Sequence, residues 1–238
     1  MYKNKDAKFQ HIVTIKGISN NQRDLIKKLN ELRDVMLDPL FGALGIRDNQ
    51  EYGSLSARLN QDSFLHIAKN TIQLSSLGIE HYPEVNYDKN LNLLTSTNIK
   101  EFSPGIEAVI HDGFYKGNSE IRCIAHGYFS PIHRYYKIKP NEAVVIEEET
   151  DNVEEMRGII LKTARDERIL KHNVDDILYN NTGHYGILIQ KNDLDGFFIV
   201  GENIEAVLSG ISISGNKSLG GIMGFFNRVL SGTNWDLY

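Results

Sequence analysis

Two apolar runs separated by a short polar turn place the strongest constraint on how this chain can fold. The runs GHYGILIQ and GFFIV lie on either side of the turn KNDLD, near residues 184–200. Strands joined by so short a connection pair antiparallel, because a parallel pair needs a long crossover. The pattern therefore predicts a β-hairpin near 184–200.

A similar pattern predicts a second hairpin near residues 105–129. The sequence GIEAVIHDGFYKGNSEIRCIAHGYF contains the turn signal KGN between two apolar segments. Pairing around this turn places Asp112 opposite Arg122, which is a favourable cross-strand charge pair. It also places Ile110 opposite Ile124, and both pairs support the assignment.

Helical periodicity predicts the other main elements. In the first of them, apolar residues recur at helical spacing after SNN, which offers N-caps, and the pattern ends at DPL, where proline disfavours helix. We predict helices near 22–37, 62–77, 152–169 and 218–231. The chain is therefore expected to be an α+β protein with a mostly antiparallel sheet.

A polar segment from about 79 to 104 suggests a division of the chain. Residues 1–90 would form a helical N-terminal part and residues 91–238 an α+β part, although a single domain also fits the length of 238 residues.

The composition excludes several classes of protein. Hydrophobic residues make up 41% of the chain and charged residues 24%, as in ordinary folded proteins. The net charge of -5 argues against a general nucleic-acid-binding protein. The single cysteine, Cys123, excludes an internal disulfide. Neither a signal peptide nor a membrane-spanning apolar run is evident, so a cytoplasmic protein is expected.

The glycine-rich sequence GISISGNKSLGGIMGFF near the C-terminal end can hold an anion. Its glycine spacing is that of a Walker A loop, but Asn216 separates the second glycine from the lysine and serine. The stretch is similar to the glycine-rich loop of CRISPR-associated RNA-binding proteins of the ferredoxin-like class. A nucleotide- or RNA-binding protein would use these residues for phosphate contacts: Gly215, Lys217, Ser218, Gly220 and Gly221.

The same stretch can instead be a flexible hinge before an amphipathic helix. The apolar residues of that helix form one stripe, which is expected to pack against the sheet of the chain or against a partner. The stripe comprises Leu219, Ile222, Met223, Phe226 and Val229.

Cys123 and His184 offer the alternative of a cysteine hydrolase, in which an imidazole activates a thiol. The sequence TGHYGILI around His184 is similar to the histidine strand of papain-like enzymes, and Cys123 precedes it as their order requires. The nucleophile of those enzymes begins a helix, whereas Cys123 is predicted within a strand among core residues. No complete catalytic set is therefore expected.

The histidines show no recognisable zinc pattern. His126 and His133 are seven residues apart, on either side of a proline, which is not a usual ligand spacing. We expect neither a metal ion nor another cofactor.

Together these patterns favour a non-catalytic structural or assembly subunit of a larger complex, such as a phage-tail, virion or injection-machine component. Residues 99–129 are similar to the conserved end of the lysozyme-like baseplate wedge family of contractile tails, although Gly105 stands where that family has an arginine. The expected partners are other proteins or further copies of the chain, without a membrane. The chain would then be cytoplasmic, or incorporated into a virion or a secretion-type assembly.

Overall fold

The computed structural model describes residues 8–13, 19–38, 44–47, 50–88, 93–98, 102–128, 140–148, 150–176, 181–190 and 196–215. Within these ranges the helices are α1 (Asn20–Leu37), α2 (Glu107–Gly117), α3 (Val153–Thr163) and α4 (204–215). The strands are β1 (Lys8–Val13), β2 (Gly45–Arg47), β3 (Gln50–Tyr52), β4 (Ser54–Arg58), β5 (Phe64–His66), β6 (Glu84–Asp88), β7 (Leu93–Asn98), β8 (Cys123–Tyr128), β9 (Val144–Ile146), β10 (His172–Asp176), β11 (Asn181–Gln190) and β12 (Gly196–Gly201).

Ten of these strands form one sheet. Their order is β1-β7-β6-β5-β4-β8-β12-β11-β10, and β9 lies beside β11. The pairs β1 with β7 and β9 with β11 are parallel, whereas the other pairs in this order are antiparallel. The predicted α+β fold with a mostly antiparallel sheet is therefore confirmed.

Helices cover both faces of the sheet, so its central strands are buried on both sides. Apolar side chains of α1 and α4 pack against one face, which we call the α1 face. Those of α2 and α3 pack against the other, which we call the α2 face. Successive side chains of a strand point to opposite faces. In β8, Cys123 and Ala125 accordingly lie on the α1 face and Ile124 on the α2 face.

The sequence at its ends explains the extent of α1. The side chains of Ser19 and Gln22 each accept a hydrogen bond from the backbone amide of the other, which is a capping box. Leu29, Leu32 and Met36 are buried against the sheet, as their helical spacing predicts. The helix predicted near 22–37 is thereby confirmed.

A buried ion pair joins α2 to α3. Arg157 Nη2 and Nε donate to Asp112 Oδ2 at 2.6 Å and 2.9 Å. The helices approach so closely that a β-carbon on Gly113 would lie 2.9 Å from the carbonyl oxygen of Arg157. Position 113 therefore favours glycine, and α2 is held firmly between the sheet and α3.

The structure confirms the hairpin near 184–200, which β11 and β12 form, and the helix near 152–169, which begins as α3. It contradicts the hairpin near 105–129, because α2 occupies the first half of that segment. Eight consecutive residues of α2 are buried, so the helix lacks the one-sided pattern that identifies a surface helix. Asp112 consequently pairs with Arg157 and does not face Arg122.

The predicted helix near 62–77 is also wrong. The segment contains β5, followed by turns in which Asn70 adopts a left-handed backbone conformation with φ of 62°. Every residue of β5 is buried, because helices cover the sheet on both sides. A short apolar run of this kind cannot be distinguished from a helix by its period.

The predicted helix near 218–231 lies outside the described residues. The division at residue 90 stays a prediction, and the sheet contains strands from both sides of that position. In the part of the chain that the structure describes, no helix is both long and apolar enough to span a membrane.

Candidate functional site

Three buried histidines lie side by side on the α2 face. His66 is the last residue of β5, His111 lies in α2 and His126 lies in β8, and none is more than 1% exposed. The ring centroids of His66 and His111 are 5.0 Å apart, and those of His111 and His126 are 6.0 Å apart. We call these three residues the histidine cluster.

Two members of the cluster have ring nitrogens without a hydrogen-bond partner among the described residues. His66 Nδ1 lies 2.6 Å from the carbonyl oxygen of Ile67 and donates to it, which leaves Nε2 as an acceptor with no donor. Neither ring nitrogen of His126 has a partner, and the ring is stacked on Phe198 with centroids 4.0 Å apart. Because buried polar atoms are nearly always hydrogen-bonded, these nitrogens indicate where a ligand or water molecule would bind.

Burial keeps the histidine cluster neutral near pH 7. It lowers the pKa of His66 to about 4 and that of His126 to about 3. The pKa of His111 is lowered well below its ordinary value, first by burial and then by the imidazoles of His66 and His126. A neutral imidazole carries one N–H donor and one acceptor nitrogen. The cluster can therefore both donate to and accept from the oxygen atoms of a ligand.

His111 also belongs to a chain of four buried, hydrogen-bonded side chains. Tyr115 Oη lies 2.7 Å from Ser56 Oγ, which lies 2.7 Å from His111 Nδ1. On the other side of the ring, His111 Nε2 lies 3.1 Å from Ser54 Oγ. The two serines alternate along β4, so both hydroxyl groups point to the α2 face. We call this series the Tyr115–Ser54 chain.

A carboxyl group borders the cluster at the start of α2. A β-carbon on Gly105 would lie 2.6 Å from Glu107 Oε2 and 3.7 Å from His66 Cε1, so both groups border the same point of the backbone. Burial raises the pKa of the Glu107 carboxyl, and the charge of Glu51 raises it further. The surface of Glu107 is partly accessible to solvent, whereas the three histidines are buried. A carboxyl with a raised pKa is suited to proton transfer.

Gly196 of β12 makes room for the ring of His126. A β-carbon at that position would lie 2.8 Å from His126 Nε2 and 3.0 Å from Gln190 Oε1. The Gln190 side chain in turn accepts a hydrogen bond from the amide of Gly196 at 3.3 Å. The ring of His126 can therefore occupy its observed position only because residue 196 has no side chain.

The histidine cluster does not have the form of a metal site. Within the described ranges, no group of three His, Cys, Asp or Glu side chains is placed to hold a metal ion. His133, considered above together with His126, lies outside those ranges. The cluster offers N–H donors and acceptor nitrogens, beside the carboxyl of Glu107.

The structure does not bring Cys123 and His184 together. Cys123 is in register with Gly201, and Gly201 with Tyr185, so the side chains of Cys123 and Tyr185 share the α1 face. His184 precedes Tyr185 in β11 and points to the opposite side, where its Nδ1 lies 3.2 Å from a carboxylate oxygen of Glu202. Burial also raises the pKa of the Cys123 thiol, whereas a nucleophile needs a lowered one. The cysteine-hydrolase alternative is therefore wrong, and Cys123 is a core residue.

Most of the glycine-rich stretch lies outside the described residues. Gly210 and Gly215 belong to α4. The remaining residues of both predictions lie after residue 215, outside the described part of the chain. The phosphate contacts stay a prediction for Lys217, Ser218, Gly220 and Gly221, and the apolar stripe stays a prediction for Leu219, Ile222, Met223, Phe226 and Val229.

Several residues of the site have no recognisable motif in the sequence. His66, Ser54 and Glu107 come from three different elements. The register of β4, β5 and β8 brings His66 and Ser54 beside His126, and Glu107 lies one helical turn before His111 in α2. One signal was nevertheless available in β4, where SLSAR alternates hydroxyl and apolar side chains.

Solved structures share the fold of this chain at low sequence identity. L-Fuculose 1-phosphate aldolase from Glaciozyma antarctica PI12 is 15% identical, with a TM-score of 0.58 over 88% of this chain and 76% of that chain. YgbL from Klebsiella pneumoniae, which has a provisional aldolase/epimerase/decarboxylase assignment, is 12% identical, with a TM-score of 0.56 over 92% of this chain and 94% of that chain. An aldolase II superfamily protein from Pseudomonas syringae is 13% identical, with a TM-score of 0.53 over 87% of this chain and 79% of that chain. No family model and no curated protein matches the sequence.

This likeness overturns the prediction of a phage-tail, virion or injection-machine component. The described part of the chain has the fold of aldolase-type proteins, and nothing in that part supports incorporation into a virion. In the described part of the segment with the baseplate resemblance, residues 102–128, the structure has α2 and one strand, β8.

Proposed function

We propose that this chain is an enzyme that cleaves or rearranges a small hydroxy-carbonyl compound, in the manner of a sugar-phosphate aldolase or epimerase. Its fold is shared with L-fuculose 1-phosphate aldolase over most of both chains. Because one fold can carry many activities, the proposal depends on the site and not on the likeness alone.

The observation that carries the proposal is the set of unpartnered nitrogens on His66 and His126. A buried polar atom without a partner costs about 1–3 kcal/mol, and a core with no other task would place apolar side chains there. Local features that lower stability are expected at functional sites. The carboxyl of Glu107 borders the same cluster and adds a group that can transfer protons.

These groups meet the needs of aldol cleavage. Glu107 takes the proton of the hydroxyl group whose carbon leaves as an aldehyde, and the electrons of the broken carbon–carbon bond form an enolate on the other fragment. The N–H of neutral His126 donates to the oxygen on which negative charge develops, while His66 Nε2 accepts from a neighbouring hydroxyl group. The proton on Glu107 then returns to the enolate carbon, which balances the reaction.

The test is a cleavage assay on a panel of ketose 1-phosphates, beginning with L-fuculose 1-phosphate, that measures release of dihydroxyacetone phosphate. Glu107→Gln should lower kcat by about 10²–10⁴, the usual contribution of a general acid–base group, and His126→Leu by about 10²–10³, the usual contribution of one donor to a developing oxyanion. Cys123→Ala is the matched control, because Cys123 lies on the opposite face of the sheet and should leave kcat unchanged.

A second readout covers rearrangement without cleavage. In D₂O, removal of a proton next to the carbonyl group would introduce deuterium at that carbon, which mass spectrometry detects. Neither cleavage nor deuterium exchange on any member of the panel, or full activity in His126→Leu, would refute the proposal.

A further inference from the structure

We infer that the Tyr115–Ser54 chain holds His111 as the tautomer protonated on Nε2, and that it thereby offers the hydroxyl hydrogen of Ser54 to an oxygen atom of the substrate. The tautomer is a property of the folded protein alone. The role of Ser54 rests on the proposed function and makes it a further substrate-contacting residue of the same site.

The direction of the hydrogen bonds follows from Tyr115. Tyr115 is a buried residue, and the one hydrogen bond of its hydroxyl group in the described structure is with Ser56 Oγ. If Tyr115 donates, Ser56 is left to donate to His111 Nδ1, and the proton of the imidazole must then lie on Nε2. In the reverse direction the hydrogen left over would be that of Tyr115, which packs on Phe64, whereas in the first it is that of Ser54, beside the unpartnered nitrogens of His126, where water or a ligand can accept it. The first arrangement satisfies every donor from Tyr115 to His111.

The same direction determines what Ser54 can do. His111 Nε2–H donates to Ser54 Oγ, so this oxygen acts as an acceptor and its own hydrogen is directed elsewhere. Among the described residues, His111 is the one hydrogen-bond partner of the Ser54 hydroxyl group. Ser54 is therefore a buried donor with no protein acceptor in that part of the chain.

The position of Ser54 indicates what would accept this hydrogen. Ser54 is the direct cross-strand neighbour of His126 in the β4–β8 pair, so both side chains leave the sheet on the α2 face. The unpartnered nitrogens of His126 and the hydroxyl hydrogen of Ser54 thus border the same space. A carbonyl or enolate oxygen placed there would receive two hydrogen bonds from neutral donors, one from each residue. Tyr115 and Ser56 act only through His111 and are positioning residues.

The tautomer can be tested without any substrate. ¹⁵N NMR of the full chain with labelled histidine distinguishes a protonated ring nitrogen from an unprotonated one, and we expect His111 to be protonated on Nε2 at pH 7. Tyr115→Phe keeps the ring that packs on Phe64 but removes the hydroxyl group. It should shift the ratio of the two tautomers about tenfold towards protonation on Nδ1, because Ser56 can then donate or accept equally well. Tyr128→Phe, which removes a buried hydroxyl group outside the chain, should leave the ratio unchanged.

Protonation of His111 on Nδ1 in the wild-type protein would overturn the inference, whatever the activity of the chain. An unchanged ratio in Tyr115→Phe would overturn the role of Tyr115. The wild-type spectrum decides the first point even if a variant fails to fold. A chain with the expected tautomer but no activity on the ketose panel would refute the proposed function and leave the tautomer established.

The donor role of Ser54 is tested by binding of dihydroxyacetone phosphate, followed through the ring nitrogen signals of His111 and His126. Ser54→Ala should weaken binding about tenfold, the usual effect of losing one donor to a charged or polarised oxygen. Ser63→Ala is the matched control, because Ser63 is also buried but donates to Glu84 outside the cluster. Equal binding by wild type and Ser54→Ala would overturn the donor role, and so would equal weakening by both variants.

Discussion

Replacing His126 with leucine should make the protein less sensitive to acid. Burial holds the pKa of His126 at about 3 in the folded protein, whereas a histidine in an unfolded chain has a pKa of about 6.5. Below pH 6.5 the unfolded state therefore binds a proton that the folded state does not bind. The free energy of unfolding falls as the pH decreases from 6.5 towards the folded pKa.

The magnitude follows from the size of this difference. Once the unfolded histidine is protonated, each further pH unit lowers the free energy of unfolding by about 1.4 kcal/mol, which amounts to about 2 kcal/mol between pH 7 and pH 5. His66, with a pKa of about 4, and His111 contribute in the same direction. His66 and His126 together should then cost about 4 kcal/mol over this range, His111 adds to that loss, and His126→Leu should remove about 2 kcal/mol of it.

Urea unfolding of each variant at pH 7 and pH 5 measures the difference directly. The packing change caused by the substitution is present at both pH values, so it cancels when the two are subtracted within one variant. Phe198→Leu is the matched control, because it disturbs the same stacked pair without removing a titrating group. If His126→Leu loses as much stability between the two pH values as the wild type, the ring of His126 is hydrated and the reasoning about the cluster fails.

Two other substitutions and one labelling experiment test the fold around the site. Asp112→Asn should lower the free energy of unfolding by about 3–5 kcal/mol, measured by urea titration, because it leaves the guanidinium of Arg157 buried without a counter-charge. Gly186→Ala should prevent the native structure, because the new β-carbon would lie 1.5 Å from the carbonyl oxygen of Ile169, and a wild-type melting curve would contradict this. The thiol of Cys123 is fully buried, so it should react with a thiol reagent only when urea unfolds the chain, and rapid labelling of the native protein would disagree.

The elements that could be predicted from the sequence are those in which local chemistry determines the structure. The α1 helix begins at a capping box and presents a regular apolar stripe, and the β11–β12 hairpin has apolar strands on either side of a polar turn. The α2 helix has neither signal. It is buried over eight consecutive positions, because the sheet covers one side of it and α3 the other. Its β-branched residues favoured a strand, and tertiary packing overrode that preference.

One favourable charge pair was insufficient evidence for the hairpin predicted near residues 105–129. Asp112 does need a cation, and Arg122 lay at a suitable distance in the sequence. The actual partner is Arg157, which lies 45 positions away on α3. A buried carboxylate requires a positively charged partner, but the fold determines which cation in the sequence becomes that partner.

The sequence pattern around the histidine cluster was also insufficient to predict the site. In the strands of the cluster, polar residues alternate with apolar ones. The sequence neighbours of these residues, Ser54 and Ser56 in β4 and His126 in β8, are apolar residues or glycines. Such alternation normally indicates a strand whose polar face is in contact with water. Here α2 and α3 cover that face, so the same pattern indicates a buried polar site. The α1 face of these strands, in contrast, is apolar, with Leu55, Ala57 and Ala125. The two faces are equally buried, so burial alone does not require the polar residues of one face. Their concentration on the α2 face, beside Glu107, therefore needs a reason other than stability, and the proposed activity supplies one.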